Sequence, residues 1–418
     1  MKIAFDTPAR KWTVAVLVLA FAALYAAAAA RQFVASWLGS RVQLTSLERA
    51  AWLDPGNAEY RNHLGRYYDL VERDPASALP YYRVATTLNP HSARFWFDLA
   101  SAYEVLGDTA GQTAALEHAI QADSMTPDVA WEAANLYLVE GETGKALREF
   151  RVVMANDASL AGTTIQYCWR INPDVDVLLR DVVPKNADAY IAFLALLEDK
   201  QEIAGTFKVW DALIASQQPF ELRYVYDYLR FLIQHKEVDE AVKVWQQSAD
   251  RFGLSSYLPS SSNLIVNGTF SLNVLNAGFD WQYQKQSGIT LTLDPSDFHA
   301  GRRSLLITFD GPRITDAGIY QLIAVQPNTT YQFSGFYKNG EIEGAGGPHL
   351  TIQDMYTQAI YYDSDELKDA GFWKSVVGEF TTSPDCKLVV LHVRRLPEGS
   401  PIRGKLWIDD FHLVRKAS

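Results

Sequence analysis

The sequence predicts a multidomain chain: an N-terminal transmembrane helix, an all-α solenoid of helical repeats, then an all-β jelly-roll sandwich. Three observations predict it. The stretch KWTVAVLVLAFAALYAAAAAR holds nineteen consecutive uncharged residues, Trp12 to Ala30. From residue 42 to residue 253 the text is rich in Ala, Leu, aromatic and charged residues, and similar phrases end on Pro55, Pro90 and Pro127. At Asn263 the composition turns abruptly to short runs of Val, Ile, Thr, Asn and Gly.

The apolar run approaches the ~20 residues a helix needs to cross the hydrocarbon core of a bilayer. Lys2, Arg10 and Lys11 precede it, and Arg31 and Arg41 follow. That bias predicts a cytoplasmic segment 1–11, a span at 12–30 and an exported remainder. The expected location is the inner membrane, single-pass, with the soluble part periplasmic. A cleaved signal peptide is the competing reading, since Ala28-Ala29-Ala30 has the small-residue pattern of a cleavage site. The run, however, exceeds the usual apolar region of roughly 7–15 residues. No Pro lies between Arg31 and Pro55, and Gly39 is the only Gly there. The helix is therefore expected to continue, with at most a kink, into the first soluble helix.

At 418 residues the chain is too long for one compact core. Its formal net charge of −11 is unevenly spread: residues 42–262 carry nineteen Lys/Arg against thirty-one Asp/Glu. An acidic middle segment argues against nucleic acid as a partner, because phosphate binding needs a basic footprint. Cys168 and Cys386 fall in segments of different character and in no metal or redox spacing, so they read as unpaired small hydrophobes.

Pro55 and Pro90 lie thirty-five residues apart, and Pro127 follows after thirty-seven. Each closing phrase precedes an aromatic-Ala helix, a Gly-acidic turn (VLGDTAG, VEGETGK) and another Ala-rich helix. A period near 34 with helix–turn–helix content resembles tetratricopeptide repeats. Trp96, Leu99, Ala100, Tyr103, Gly107 and Ala119 fit one repeat; Ala134, Tyr137, Gly141, Ala146 and Phe150 fit the next. Leu64, Gly65 and Tyr68 mark the first, with an extra residue in its turn. Gln112 stands where a small residue is expected, which predicts a looser hairpin. Two divergent hairpins then carry the solenoid, residues 42–253, to Gly253. The resemblance implies a concave groove for a protein partner.

The linker LSSYLPSSS occupies 254–262 and leads to a domain that begins at Asn263 and runs to 418. About nine short β runs, among them ITLTLD, SLLITFD, TYQFSGFYK and KLWIDDFHLV, argue for a sandwich of jelly-roll type. NLIVNGTF is similar to the opening strand of galactose-binding-like carbohydrate-binding modules found on xylanases and related glycan enzymes. HAGRRSLLITF, IYQLIAVQPNTTYQFSGFYK, FWKSVVGEFTT and GKLWIDDFHLV follow in the matching order. The resemblance implies a glycan ligand, though members of such a fold also serve as packing or protein-binding domains. It also implies acidic residues after the first NG, where Thr269 and Ser271 stand here. Asp294, Asp409 and Asp410 remain as candidate ligands of a structural calcium, a thin supply for an ion that wants six to eight oxygens.

Sugar recognition needs flat aromatic faces flanked by amide or carboxylate hydrogen-bonders. Trp281 and Tyr283 lie beyond the first strand. Tyr356, Tyr361 and Tyr362 sit in QDMYTQAIYYDSDE beside Gln353, Asp354 and Gln358, the best candidate cluster. The alternative is that Tyr361 and Tyr362 cover the sandwich edge; Trp373 and Trp407 read as core. No GxSxG, HExxH, P-loop or strand–helix GxGxxG occurs, and the eight histidines lack ligand spacing. The expectation is a non-enzymatic membrane-anchored scaffold, holding a protein on the solenoid and a glycan on the sandwich. Such an architecture suits bacterial envelope polysaccharide assembly or export. The rivals are a pure protein scaffold and an accessory subunit of a glycan-active enzyme.

Overall fold

The computed structural model of the chain describes residues 8–311, 314–396 and 400–416. Most of the expected cytoplasmic segment 1–11, Lys2 included, lies outside the described residues. The chain divides into two compact units, Met1–Gln218 and Pro219–Ser418.

The first unit is helical. Helix α1, Pro8–Gly39, is long and apolar enough to cross a membrane, with none of its most apolar window buried. It continues well past the nineteen-residue run but ends before α2, Leu44–Leu53. The expected fusion with the first soluble helix is interrupted at Ser40–Gln43. Gly39 marks the break: a Cβ there would lie 2.3 Å from the Tyr60 ring, so only glycine lets that ring close over the helix end.

Helical hairpins follow. They pair α3 (Ala58–Arg66) with α4 (Pro75–Leu88), α5 (Ala93–Val105) with α6 (Thr109–Ala122), and α7 (Pro127–Val139) with α8 (Thr143–Asn156). Helices α9 (Ala161–Ile171) and α10 (Val175–Asp181) precede the pair α11 (Ala187–Lys200) and α12 (Ile203–Ser216). Asn57, Asp74, Asp108 and Asn186 cap helix starts by accepting backbone N–H bonds. Gly107 and Gly141 take positive φ in the acidic turns, 74° and 78°. The small residues do what their spacing implied: Ala100 and Ala134 are fully buried, and the Tyr82 ring lies over Gly65. The extra residue of the first repeat is absorbed as a π-helical turn, Tyr67–Val71, which lengthens α3 without shifting its partner. Gln112 is buried with Nε2 unbonded.

The second unit opens with α13 (Leu222–Gln234) and α14 (Val238–Phe252), which ends on Gly253 in the left-handed region. Among the described residues ten strands follow: β1 (Trp281–Tyr283), β2 (Ile289–Asp294), β3 (Ser304–Gly311), β4 (Asp316–Ala324), β5 (Thr330–Gly344), β6 (Gly347–Asp354), β7 (Ile360–Asp363), β8 (Lys374–Thr381), β9 (Leu388–Leu396) and β10 (Ile402–Arg415). They form two antiparallel five-stranded sheets, ordered β1-β4-β9-β6-β7 and β2-β3-β10-β5-β8. Inward residues alternate along each strand, as in Leu305, Ile307 and Phe309 of β3, and meet in one core. Phe270, Trp281, Phe333 and Phe411 are its aromatic centre, with Trp281 5.0 Å from Phe270 and 5.7 Å from Phe411.

Two expectations change here. The run LIVNGTF is not a ladder strand: Asn267 and Phe270 have positive φ, and Gly268 lies against the Phe411 carbonyl. The segment is tied to β10 by the Asn263 side chain, which donates to the Phe411 carbonyl and accepts from the Leu413 N–H, and by two separated backbone bonds, Leu264 N–H to the Leu413 carbonyl and Phe411 N–H to the Gly268 carbonyl. The compact-unit boundary also falls ahead of the linker. Trp245 of α14 packs on Gly278, where a Cβ would meet its ring at 2.8 Å, and Lys387 pairs with Asp239 at 2.5 Å. Tyr257, in the short turn after α14, donates to the Asn273 carbonyl. These contacts hold the last helical hairpin to the sandwich.

Candidate binding cleft

The outer face of the sheet β1-β4-β9-β6-β7 is built by alternation. In β4, Ile319 and Ile323 turn into the core, so Tyr320 and Leu322 turn out. In β9, Val389, Leu391 and Val393 turn in, leaving Val390 and His392 outside. The registers set Gln282 beside Tyr320, Tyr320 beside His392, and His392 beside Thr351.

Helix α13 stands beside this face. Its buried positions Val225, Tyr228, Leu229 and Leu232 repeat at helical spacing. Tyr356 donates its hydroxyl to the carbonyl of Ile233 at 2.8 Å, beside the Lys236 N–H that the same carbonyl accepts at the helix end. Between the helix and the sheet lies a cleft of about 510 Å³. Tyr226, Arg230 and Gln234 line it from the helix, and Gln282, Tyr320, Gln353 and His392 from the sheet. The volume lies in the range of about 300–1,000 Å³ of small-ligand sites.

The cleft sets polar groups among apolar ones such as Leu229, Ile233, Leu322, Met355 and Val390, and is nearly balanced in charge. Arg230 is exposed and pairs with Asp227 at 3.2 Å on its own helix. Asp316 pairs with His392 at 2.9 Å. Tyr320 donates to Gln282 at 3.1 Å, and burial holds its hydroxyl above the usual range against the pull of Arg230. The rim loop Asn276–Gly278 is braced from below by Asp280, whose Oδ2 accepts from the Leu275 N–H at 2.7 Å. Burial pushes the Asp280 carboxyl up to about 6, and its Oδ1 has no partner.

The residues singled out from sequence separate into three groups. Trp281 is fully buried, so no face of its ring is open to a ligand; β1 points it inward, and its Nε1 donates to the Asn267 carbonyl. Tyr283 is about half exposed at the other end of β1, away from Tyr356 and its neighbours. The QDMYTQAIYYDSDE cluster does come together, but as a bonded turn. Burial would raise the Asp354 carboxyl; the N–H groups of Thr357 and Tyr356, both at 2.8 Å, outweigh it and hold it low. Tyr361 donates to Ser383 and stacks on Phe380 at 5.8 Å. Tyr362 lies over Gly378, where a Cβ would meet its ring at 2.1 Å, and burial pushes its hydroxyl up to about 12. Tyr356 is pushed up to about 12 for the same reason. Of this stretch Gln353 and Gln358, bonded to each other at 2.5 Å, reach the cleft together with Met355, and the three tyrosines do not line it.

The calcium candidates are engaged elsewhere. Asp294 accepts from Ser296 and from Trp407 Nε1, and sits low for that reason. Asp409 is fully buried and accepts from the N–H groups of His299 and Ala300, so donors rather than further oxygens face it. Asp410 meets His299 and His412. This donor set does not fit an ion that takes six to eight oxygens. Among the described residues no group of three or more His, Cys, Asp or Glu is arranged to hold a metal. Both cysteines are free and buried, with burial raising Cys168 to about 12 and Cys386 to about 11.

Sequence reasoning missed Tyr320, His392, Gln282 and the α13 wall. The alternation of GIYQLIAV and LVVLHVRR carries the signal for the first two. The packing of α13 on that face has no local signal.

Several solved structures resemble parts of the chain. A xylan-binding CBM22-1 domain from Paenibacillus barcinonensis is 14% identical over 36% of this chain and 94% of that one, with a TM-score of 0.26. A CBM4 structure is 19% identical over 36% and 99%, with a TM-score of 0.29. MamA is 18% identical over 42% and 86%, with a TM-score of 0.25. A comparison with curated proteins finds no match. Residues 262–397, which hold most of the sandwich and all of the cleft's sheet wall, match the family model described as carbohydrate binding domain.

Proposed function

We propose that the chain is a membrane-anchored, exported and non-enzymatic scaffold whose second unit binds a glycan in the cleft beside α13. The hairpins of the first unit, read as tetratricopeptide-like, are the docking surface for a protein partner. Bacterial envelope polysaccharide assembly or export is the process that suits this combination. The family match of residues 262–397 supports a glycan, and one observation favours this cleft for it: Gln282, Gln353, Gln358 and Tyr320 converge there. Amides give and accept hydrogen bonds toward hydroxyls, and a tyrosine ring offers a face to sugar C–H groups.

The test is retention of the purified full chain, in detergent, on gels of soluble xylan and β-1,4-galactan. Binding that Tyr320→Ala weakens at least tenfold, at unchanged melting temperature, is expected. The second reading, a protein scaffold without sugar binding, draws on Tyr356 and Tyr361, whose hydroxyls serve the protein itself. Failure of a folded chain to bind any polysaccharide would favour it.

A further inference from the structure

Resting on that reading of the cleft, we propose that His392, oriented by Asp316, is a specificity-determining residue that accepts a hydrogen bond from a glycan hydroxyl. His392 lies on the outward side of β9 and lines the cleft, between Tyr320 of β4 and Thr351 of β6. The residue is 9% exposed. Its Nδ1 lies 2.9 Å from Asp316 Oδ2. An ionised carboxylate only accepts, so Nδ1 carries the proton, and in an imidazole with one proton the lone pair is then at Nε2. That Nε2 is buried and has no partner.

The neighbours do not serve it. Tyr320 donates its hydroxyl to Gln282 at 3.1 Å, and Thr351 donates to Asp363 at 2.9 Å. A buried acceptor left unmatched costs free energy, so a ligand that brings a donor to this point gains what the protein alone forgoes. The amides that line the cleft, among them Gln282, Gln353 and Gln358, accept and donate alike. A bare imidazole nitrogen is one-sided: it takes a hydroxyl or amide N–H and rejects an ether, an ester or an O-methyl group at the same place. The carboxylate of Asp316 acts through the ring, as a positioning residue that fixes the tautomer.

The experiment uses the full chain in detergent, with xylohexaose and β-1,4-galactotriose as probes, and reads two signals. The first is ¹⁵N resonance of the histidine side chains in the free protein. His392 is expected in the Nδ1–H tautomer, with Nε2 shifting when sugar is added. The second is calorimetric affinity. His392→Phe should lose at least about tenfold, close to 1.4 kcal/mol, and His392→Gln, which keeps an acceptor, should recover part of it. Asp316→Ala should free the tautomer and weaken binding several-fold at an unchanged far-ultraviolet spectrum. An Nε2–H tautomer in the free protein overturns the inference whether or not a sugar binds, and needs no variant to fold. Full affinity in a folded His392→Phe overturns the inference and leaves the glycan reading standing. Absence of binding to either probe by the wild-type chain counts against the glycan reading and, with it, against this one.

Discussion

Two aromatic regions of the sandwich unit make an instructive pair. The turn around Tyr356, Tyr361 and Tyr362 concentrates tyrosines, amides and carboxylates in one short stretch of sequence. The floor formed by Tyr320 and His392 draws on strands far apart in the chain. In the first, the three hydroxyls are spent on the protein: on Ile233, on Ser383 and, more distantly at 3.5 Å, on Val377. In the second, a buried imidazole nitrogen is left over. What separates a binding surface from a structural one is thus unused hydrogen-bonding capacity, not local density of sugar-friendly residues.

The comparison can be broken from beneath. Phe411 packs on Phe270, Trp281 and Phe333 under both regions. Phe411→Ala should cost about 3–5 kcal/mol in urea unfolding of the sandwich and abolish the distinction altogether. Asp280 is next in size. Its carboxyl is raised to about 6 from an ordinary 3.8, so the folded state holds a proton that the unfolded state has released. Stability should therefore rise as pH falls from about 7 to about 4, by on the order of 3 kcal/mol. Asp280→Asn should flatten that dependence, and a pH series of melting curves reads it directly.

Smaller changes sharpen the contrast. Tyr361→Phe removes the bond to Ser383 and should cost about 1 kcal/mol of stability with glycan retention unchanged. The double variant Tyr356→Ala with Tyr361→Ala should lower the melting temperature and loosen the end of α13 in hydrogen exchange, because both rings hold structure. Tyr320→Phe should barely move stability, yet weaken glycan binding a few-fold by unfixing Gln282. Equal losses of binding and stability in both tyrosine positions would dissolve the distinction.

The architecture was largely legible. An unbroken apolar run, a recurring proline and a switch to short β runs each report a regular period, and periods survive in sequence. NLIVNGTF misled as a strand because its residues suit an extended backbone, while positive φ at Asn267 and Phe270 breaks the ladder and leaves the Asn263 side chain and two separated backbone bonds to secure it to β10. Proline spacing found the hairpins, but the compact boundary before Pro219 depends on Trp245 meeting Gly278, a contact with no local trace. The site was legible in part. Gln353 and Gln358 reach the cleft, whereas Trp281 and Tyr283, two residues apart, share the side of β1 that turns away from it, and Gln282 between them faces it. Facing direction depends on register, and a one-residue difference reverses it.

Helix α1 has a mechanical consequence. At 1.5 Å per residue its thirty-two residues span about 48 Å, against about 30 Å for a bilayer's hydrocarbon core. A helix seated there leaves several turns projecting. The far end of those turns is built into the first hairpin, with Ala35 buried and Tyr60 closed over Gly39. As the proposed membrane stem, α1 would carry that hairpin with it when it tilts to match a bilayer's thickness.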